Sequence, residues 1–239
     1  MATDVKNDAS LGASLTSAFC ISATVTEDSK GTNTLTDNNT VTSVAGKQDD
    51  AVDFESTASE YLSIADGSQT GLDLDTGSFS VAVWVKPETI SLGYSGEIVS
   101  KHGANATGWF FQQLTSGVVR FVNDGSTPVT TGASTTSTGV WSHIVVTYDG
   151  TNLRMYFDGS LVGGPTSASN PTADTSDFRI SSSSNNPTRY YDGVVNQVLI
   201  YSKNLTSTNV TDLYNSGTGI PWEVAATNAV KSINGLSNV

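Results

Sequence analysis

Hydrophobic and polar residues alternate in short runs through the middle of the chain. In SFSVAVWVK (78–86), Phe79, Val81, Val83 and Val85 share one parity, while Ser80, Ala82, Trp84 and Lys86 share the other. That is the period of a strand with one apolar face. WSHIVVTYDG (141–150) and NLRMYFDG (152–159) are two more such runs, joined at Asp149-Gly150 as a hairpin. DGVVNQVLIY (192–201) is a long final strand. Shorter runs predict strands in AVDFES and EYLSIAD, at Glu97 to Lys101, Trp109 to Leu114, Val118 to Asn123 and Phe178 to Ser182. Thr115-Ser116-Gly117 joins two of them as a three-residue hairpin loop. Leu15 to Thr26 reads as an edge strand.

Two stretches rich in Ser, Thr and Gly, Gly125 to Gly139 and Gly163 to Ser176, read as exposed loops. One helical turn is expected near Ser207 to Tyr214, with Ser207 or Thr208 as N-cap and Gly217 as terminator. The organisation that follows is an N-terminal arm (1–19), a single β domain (20–217) and a C-terminal tail or docking arm (218–239).

Composition agrees with an all-β class. Charged residues make up only 14% of the 239 positions, and Ser, Thr and Asn fill the deficit. The formal net charge of −12, with no Lys/Arg cluster, argues against a nucleic-acid partner. Acidity favours solubility and supplies oxygen ligands for hard cations. Cys20 is the only cysteine, which excludes an internal disulfide, and its apolar neighbours predict burial. No segment predicts membrane insertion, and MATDVKNDAS does not read as a secretory signal. Synthesis in a cytoplasm is therefore expected, with a later place on a virion or extracellular surface reached by another route.

Four pieces, AGKQDDAVDFESTASEYLSIAD, FSVAVWVKP, WSHIVVTYDGTNLRMYFDGSLVG and YYDGVVNQVLIYSKNLTSTNVTDLYNSG, arrive in an order and spacing that resemble the laminin-G-like or concanavalin-A-like jelly rolls in their pentraxin-related form. The resemblance covers roughly residues 20–217 and implies an antiparallel two-sheet sandwich with loops at the rim used for ligands. It also implies a calcium site between an early turn and the last strand. Here Asp28 lies in DSKGTN, a loose match to the family's Asp-x-x-Gly-Asn turn. The family's Ile-Asp-Glu-Val strand appears as Val195-Asn196-Gln197-Val198, with both acids replaced by amides. Calcium held by Asp28 and Asn196, and an amide that only makes hydrogen bonds, both remain open. The tail Ala225 to Val239 resembles pieces of phage structural proteins.

Catalysis finds little support in the residues. A retaining glycosidase needs two carboxylates roughly 5–5.5 Å apart, and the Glu-x-Asp-x-x-Glu or Glu-x-Asp-x-Glu run of related glucanases is missing. Asp53 and Glu55 are the nearest candidates, on the opening strand instead. His102 and His143 lie in unrelated contexts, and there is no Gly-x-Ser-x-Gly elbow. Sugar recognition needs exposed aromatic faces beside amides and charges. Trp84 on the more polar parity, Trp109 with Gln112, and the Arg189-Tyr190-Tyr191 cluster are the candidates.

The expectation is thus a non-catalytic module that binds at a surface as a virion decoration, fibre or tail component. It would dock neighbouring virion or surface proteins through its arms and assemble as a homo-oligomer. The alternative is a carbohydrate-binding adhesion module that takes glycans, with a glycoside hydrolase behind both.

Overall fold

The alternating runs close into two antiparallel sheets. The structure, a computed structural model, describes residues 4–20, 24–103, 107–186 and 188–223. In chain order the first strands are β1 (Leu15–Phe19), β2 (Thr36–Asn38), β3 (Thr42–Ala45), β4 (Asp50–Phe54) and β5 (Tyr61–Ile64). Next come β6 (Phe79–Pro87), β7 (Gly96–His102), β8 (Gly108–Gln113), β9 (Val119–Asn123) and β10 (Ser126–Thr130). The last are β11 (Ser142–Tyr148), β12 (Asn152–Phe157), β13 (Ser160–Ser167), β14 (Phe178–Ile180) and β15 (Gly193–Tyr201), followed by the helix α1 (Ser207–Tyr214). Sheet I has the order β13-β12-β11-β6-β15-β4-β3, with β1 also paired to β15, and sheet II the order β10-β9-β8-β7-β14-β5-β2. This is a jelly-roll sandwich with one short helix, as the sequence predicts.

The apolar parities of the two sheets face each other. Val81, Val83 and Val85 of β6 and Ile144 and Val146 of β11 meet Trp109, Phe111 and Phe121 of sheet II in one continuous core. A chain without a disulfide holds together through this burial. Cys20 is buried and free, as expected.

The outer face of sheet I is also covered. Val5, Leu11 and Leu15 from the N-terminal segment, Val210 and Leu213 of α1, and Ile220 and Trp222 pack over Ala82, Val145, Leu199 and Tyr201. The two ends of this cover are zipped by Val5 N–H to Pro221 O at 3.0 Å and Lys6 N–H to Trp222 O at 2.9 Å. The segment expected to be a free N-terminal arm is therefore part of the fold from Asp4 onward, and β1 continues sheet I by pairing with β15. Sparse apolar residues (Val5, Leu11, Leu15) gave no strong periodic signal, yet each meets the outer parity of sheet I. Residues 218–223 belong to the same cover. The rest of the expected docking tail lies outside the described residues.

The two stretches read as loops each hold part of an edge strand, β10 within 125–139 and β13 extending to Ser167. Ser, Thr and Gly carry no apolar alternation, so pairing with an inner neighbour makes these strands, not side-chain pattern. The helix forms where expected, but Thr206 is its N-cap, in a capping box with Asn209, and the left-handed Asn215 ends it. Among the described residues no helix is long and apolar enough to cross a membrane.

Candidate functional site

Cross-strand register places one row of side chains on the outer face of sheet II. Glu97 pairs with Gln112, Ser100 with Phe110, and Gln112 with Arg120. Arg179 of β14 lies beside Ser100 on one side and Ser63 on the other. Opposed residues share a face, so Glu97, Phe110, Gln112, Arg120 and Arg179 point away from the core that Trp109 and Phe111 enter. No segment comparable to the N- and C-terminal cover of sheet I is packed on this face among the described residues.

A hollow of about 270 Å³ opens there, lined by Glu97, His102, Phe110, Asn185, Asn186 and Arg189 together with Thr107, Gly108 and Gly125. Gly108 is required by close approach: with φ +86°, a Cβ here would stand 2.1 Å from the carbonyl oxygen of Lys101. The loop that bears Asn185 and Asn186 is tied to the floor through Ser183. Its hydroxyl accepts from Asn186 N–H at 3.0 Å and lies 3.1 Å from His102 Nε2.

Glu97 is the unusual member. The residue is 1% exposed. Its Oε2 meets His102 Nε2 at 2.9 Å, whereas Oε1 has no hydrogen-bond partner and lies 3.9 Å from Arg189 Nη1. A buried carboxylate oxygen without a donor is costly, and at the edge of a hollow it can be satisfied by a donor that enters there. The His102 ring packs on Phe110 with centroids 4.3 Å apart, leaving the half-buried phenyl ring as an apolar wall. Arg120, beyond Gln112 on the same outward row, has its guanidinium pKa lowered by burial first and by the like charge of Arg189 second.

The predicted ligand residues divide by parity. Arg189 lines the hollow, and Tyr190 stays half-buried on the same face, 6.2 Å from the Tyr61 ring. Gln112 faces the same way but is fully covered, its Oε1 accepting from Arg120 Nε at 2.8 Å. Trp109 and Tyr191 are corrections, since both are wholly buried in the core. Trp109 sits one residue from Phe110 and hence on the opposite face, where its Nε1 donates to Leu72 O at 2.8 Å. Trp84 is a correction of another kind. It does lie on the outer parity of β6, but His143 and Tyr214 of α1 stack over it, leaving 2% exposed. Glu97, His102 and Phe110, which line the hollow, were not among the predicted ligand residues. The available signal was that Glu97 and Phe110 occupy outward parities on neighbouring strands.

The calcium expectation fails a test of fit. Asp28 Oδ1 accepts N–H bonds from Ala18 and Lys30, and Oδ2 from Thr32 and Asn33, at 2.7–3.2 Å. Those hydrogens occupy the roughly four acceptor positions of a carboxylate. Asn196 Oδ1 accepts from Lys47 and Gln48 N–H, each at 3.1 Å, and its Nδ2 donates to Asp50 O at 2.9 Å. Both side chains tie loops to strands, so this donor set does not fit a cation.

Asp53 and Glu55 do approach each other, with Glu88, one carboxylate oxygen of each lying within 4.8 Å of the others. They stand at a strand end of sheet I, and none of them lines the hollow described above. Desolvation first, and neighbouring carboxylates second, raise the pKa of both Glu55 and Glu88.

Residues 55–211 match the family model described as the concanavalin A-like lectin/glucanases superfamily. The chain belongs to this superfamily. No curated protein matches it. Among solved structures, this superfamily member is similar to the binding domain of Paraclostridial Mosquitocidal Protein 1, with TM-score 0.68 and 16% identity over 85% of this chain and 52% of that one. It is also similar to domain 4 of AbnA, a GH43 extracellular arabinanase from Geobacillus stearothermophilus solved with arabinotriose, with TM-score 0.64 and 18% identity over 83% of this chain and 97% of that one. A third is the botulinum neurotoxin type G receptor binding domain, with TM-score 0.60 and 16% identity over 79% of this chain and 47% of that one. The superfamily member thus spans about half the length of the first and third of these binding domains. At these identities the likeness shows the fold.

Proposed function

We propose that this chain is a non-catalytic binding module that takes a saccharide on the outer face of sheet II. The observation that carries the reading is a hollow lined by Glu97, Phe110 and Arg189, in which the buried Glu97 Oε1 has no hydrogen-bond partner. An apolar ring wall with a few fixed polar groups is the usual composition of a small-ligand site. A sugar presents both an apolar face and hydroxyls to such a site. The similar domain solved with arabinotriose supports a saccharide in particular. The expected virion component attached by terminal arms has less support, since the described part of its N-terminal arm is consumed in covering sheet I.

A glycan array probed with the labelled chain tests the proposal. Reproducible binding to a defined set of saccharides is expected, with loss in Phe110→Ala and retention in Tyr61→Ala, which lies away from the hollow. Silence across the array, with the protein shown to be folded by circular dichroism, rejects it.

A further inference from the structure

The polar groups of the hollow restrict the ligand further. Resting on the saccharide reading, we infer that the hollow takes one neutral sugar ring, with a single ring hydroxyl bridging Glu97 Oε1 and Arg189. Size gives the first argument. At about 270 Å³ the hollow falls just below the range of roughly 300–1,000 Å³ that holds drug-sized ligands, which suits one ring and not a chain of them.

Charge gives the second argument. Glu97 Oε1 needs a donor, and Arg189 Nη1, 3.9 Å away, is beyond hydrogen-bond distance from it. Arg189 carries only donors and needs an acceptor. A hydroxyl group is both at once: it donates its proton to Oε1 and accepts from the guanidinium. A sugar carboxylate would satisfy Arg189 but present a second negative charge to a buried glutamate that still lacks a donor. An ammonium group would satisfy Glu97 but meet the guanidinium of Arg189, 3.9 Å from Glu97 Oε1. Burial of Glu97 makes either mismatch expensive, because screening by water is weak there. Two neighbouring oxygens are already engaged: Asn186 Oδ1 accepts from Thr188 N–H and Oγ1, and Glu97 Oε2 is held by His102. The selection therefore falls on the Glu97–Arg189 gap.

Isothermal titration of the full chain tests this with methyl arabinofuranoside, methyl galactoside and methyl glucoside, the methyl glucuronide (free carboxylate) and methyl glucosaminide counterparts of the last, and sialyllactose. A neutral glycoside is expected to bind at least tenfold more tightly than its carboxylate or ammonium counterpart. Glu97→Gln should weaken that binding tenfold or more, and so should Arg189→Ala, a half-exposed position whose variant keeps the fold. A deoxy analogue lacking the bridging hydroxyl should lose affinity with the wild type but little more with Glu97→Gln. Preference for the uronate, the amine or the sialoside overturns the inference, as does neutral binding indifferent to both substitutions. In those cases saccharide binding survives as the function. If none of the neutral, acidic or amino sugars binds the wild type, both readings fall.

Discussion

Two buried charges stand four residues apart on β7 and have opposite fates. Lys101 is 0% exposed and its ammonium is enclosed by oxygens: Asp66 Oδ1 at 2.9 Å, Asp73 Oδ1 at 3.1 Å, Ser176 O at 2.8 Å and Asp174 O. It points inward beside Trp109, its cross-strand partner, and fastens two loops to the strand. Glu97 points outward and has one oxygen held and one unpartnered. The first arrangement is complete without any other molecule and serves the fold. The second is incomplete, and the incompleteness faces a hollow. A buried charge is thus informative about function through what its environment leaves unsatisfied, not through burial alone.

Removing the complete arrangement should have the largest effect on stability. Lys101→Met keeps the aliphatic stem and deletes the ammonium, leaving Asp66, Asp73 and two carbonyls to find other donors. Both carboxylates are partly exposed and water recovers part of the loss, so a cost of roughly 3 kcal/mol is expected in urea denaturation. A change below about 0.5 kcal/mol would show that the enclosure contributes nothing beyond a surface pair.

His143 supplies a third case, a buried group that avoids charge altogether. Burial pushes its pKa from 6.5 down to about 3, in a cluster where its ring meets those of Trp84 and Tyr214. The unfolded chain takes up a proton on this histidine below about pH 6.5, whereas the folded chain does not until about pH 3. Stability therefore falls as pH drops through that window, by at most about 1.4 kcal/mol per pH unit from this residue. His143→Phe, which retains a ring in the stack, should flatten the acid limb of a stability-versus-pH curve by up to that slope. Parallel curves for variant and wild type would place the acid sensitivity elsewhere.

The two sheets differ in how much of them could be read in advance. Strands with one apolar parity, such as β6 and β11, are legible because their pattern has the period of the backbone. The same pattern put Trp84 correctly on the outer parity but said nothing of α1 lying across it; exposure depends on a covering element far away in sequence. In β8 the error was local: Trp109 and Gln112 were grouped by proximity, although their spacing of three puts them on opposite faces. The edge strands β10 and β13 have no alternation to find. As for the hollow, Arg189 was visible as a charged residue in an aromatic cluster. Glu97 was hidden in a short strand, because its importance lies in a bond that it does not make.

Glu97→Gln sharpens the contrast with Lys101. The amide is nearly the same shape and can still meet His102 through one atom, so stability should change by about 1 kcal/mol or less, well under the Lys101→Met effect. A ligand-induced rise in melting temperature, on the other hand, should be strongly reduced. A variant that loses several kcal/mol without ligand would make Glu97 a structural charge like its neighbour.

Arg189→Ala should be the mildest change in the free protein and still an effective one in the complex. The side chain is 36% exposed, and its distance of 3.9 Å from Glu97 Oε1 makes the pair weak in the absence of ligand. Its removal should shift stability by no more than about 0.5 kcal/mol. The guanidinium gains its full worth only when a ligand oxygen joins it to the buried carboxylate, because a bond to a charged donor in a partly dry site is stronger than one in water. Melting curves with and without saccharide separate the two contributions. Equal curves without ligand, together with a lost ligand shift, are the outcome expected of a residue that contributes to binding and not to folding.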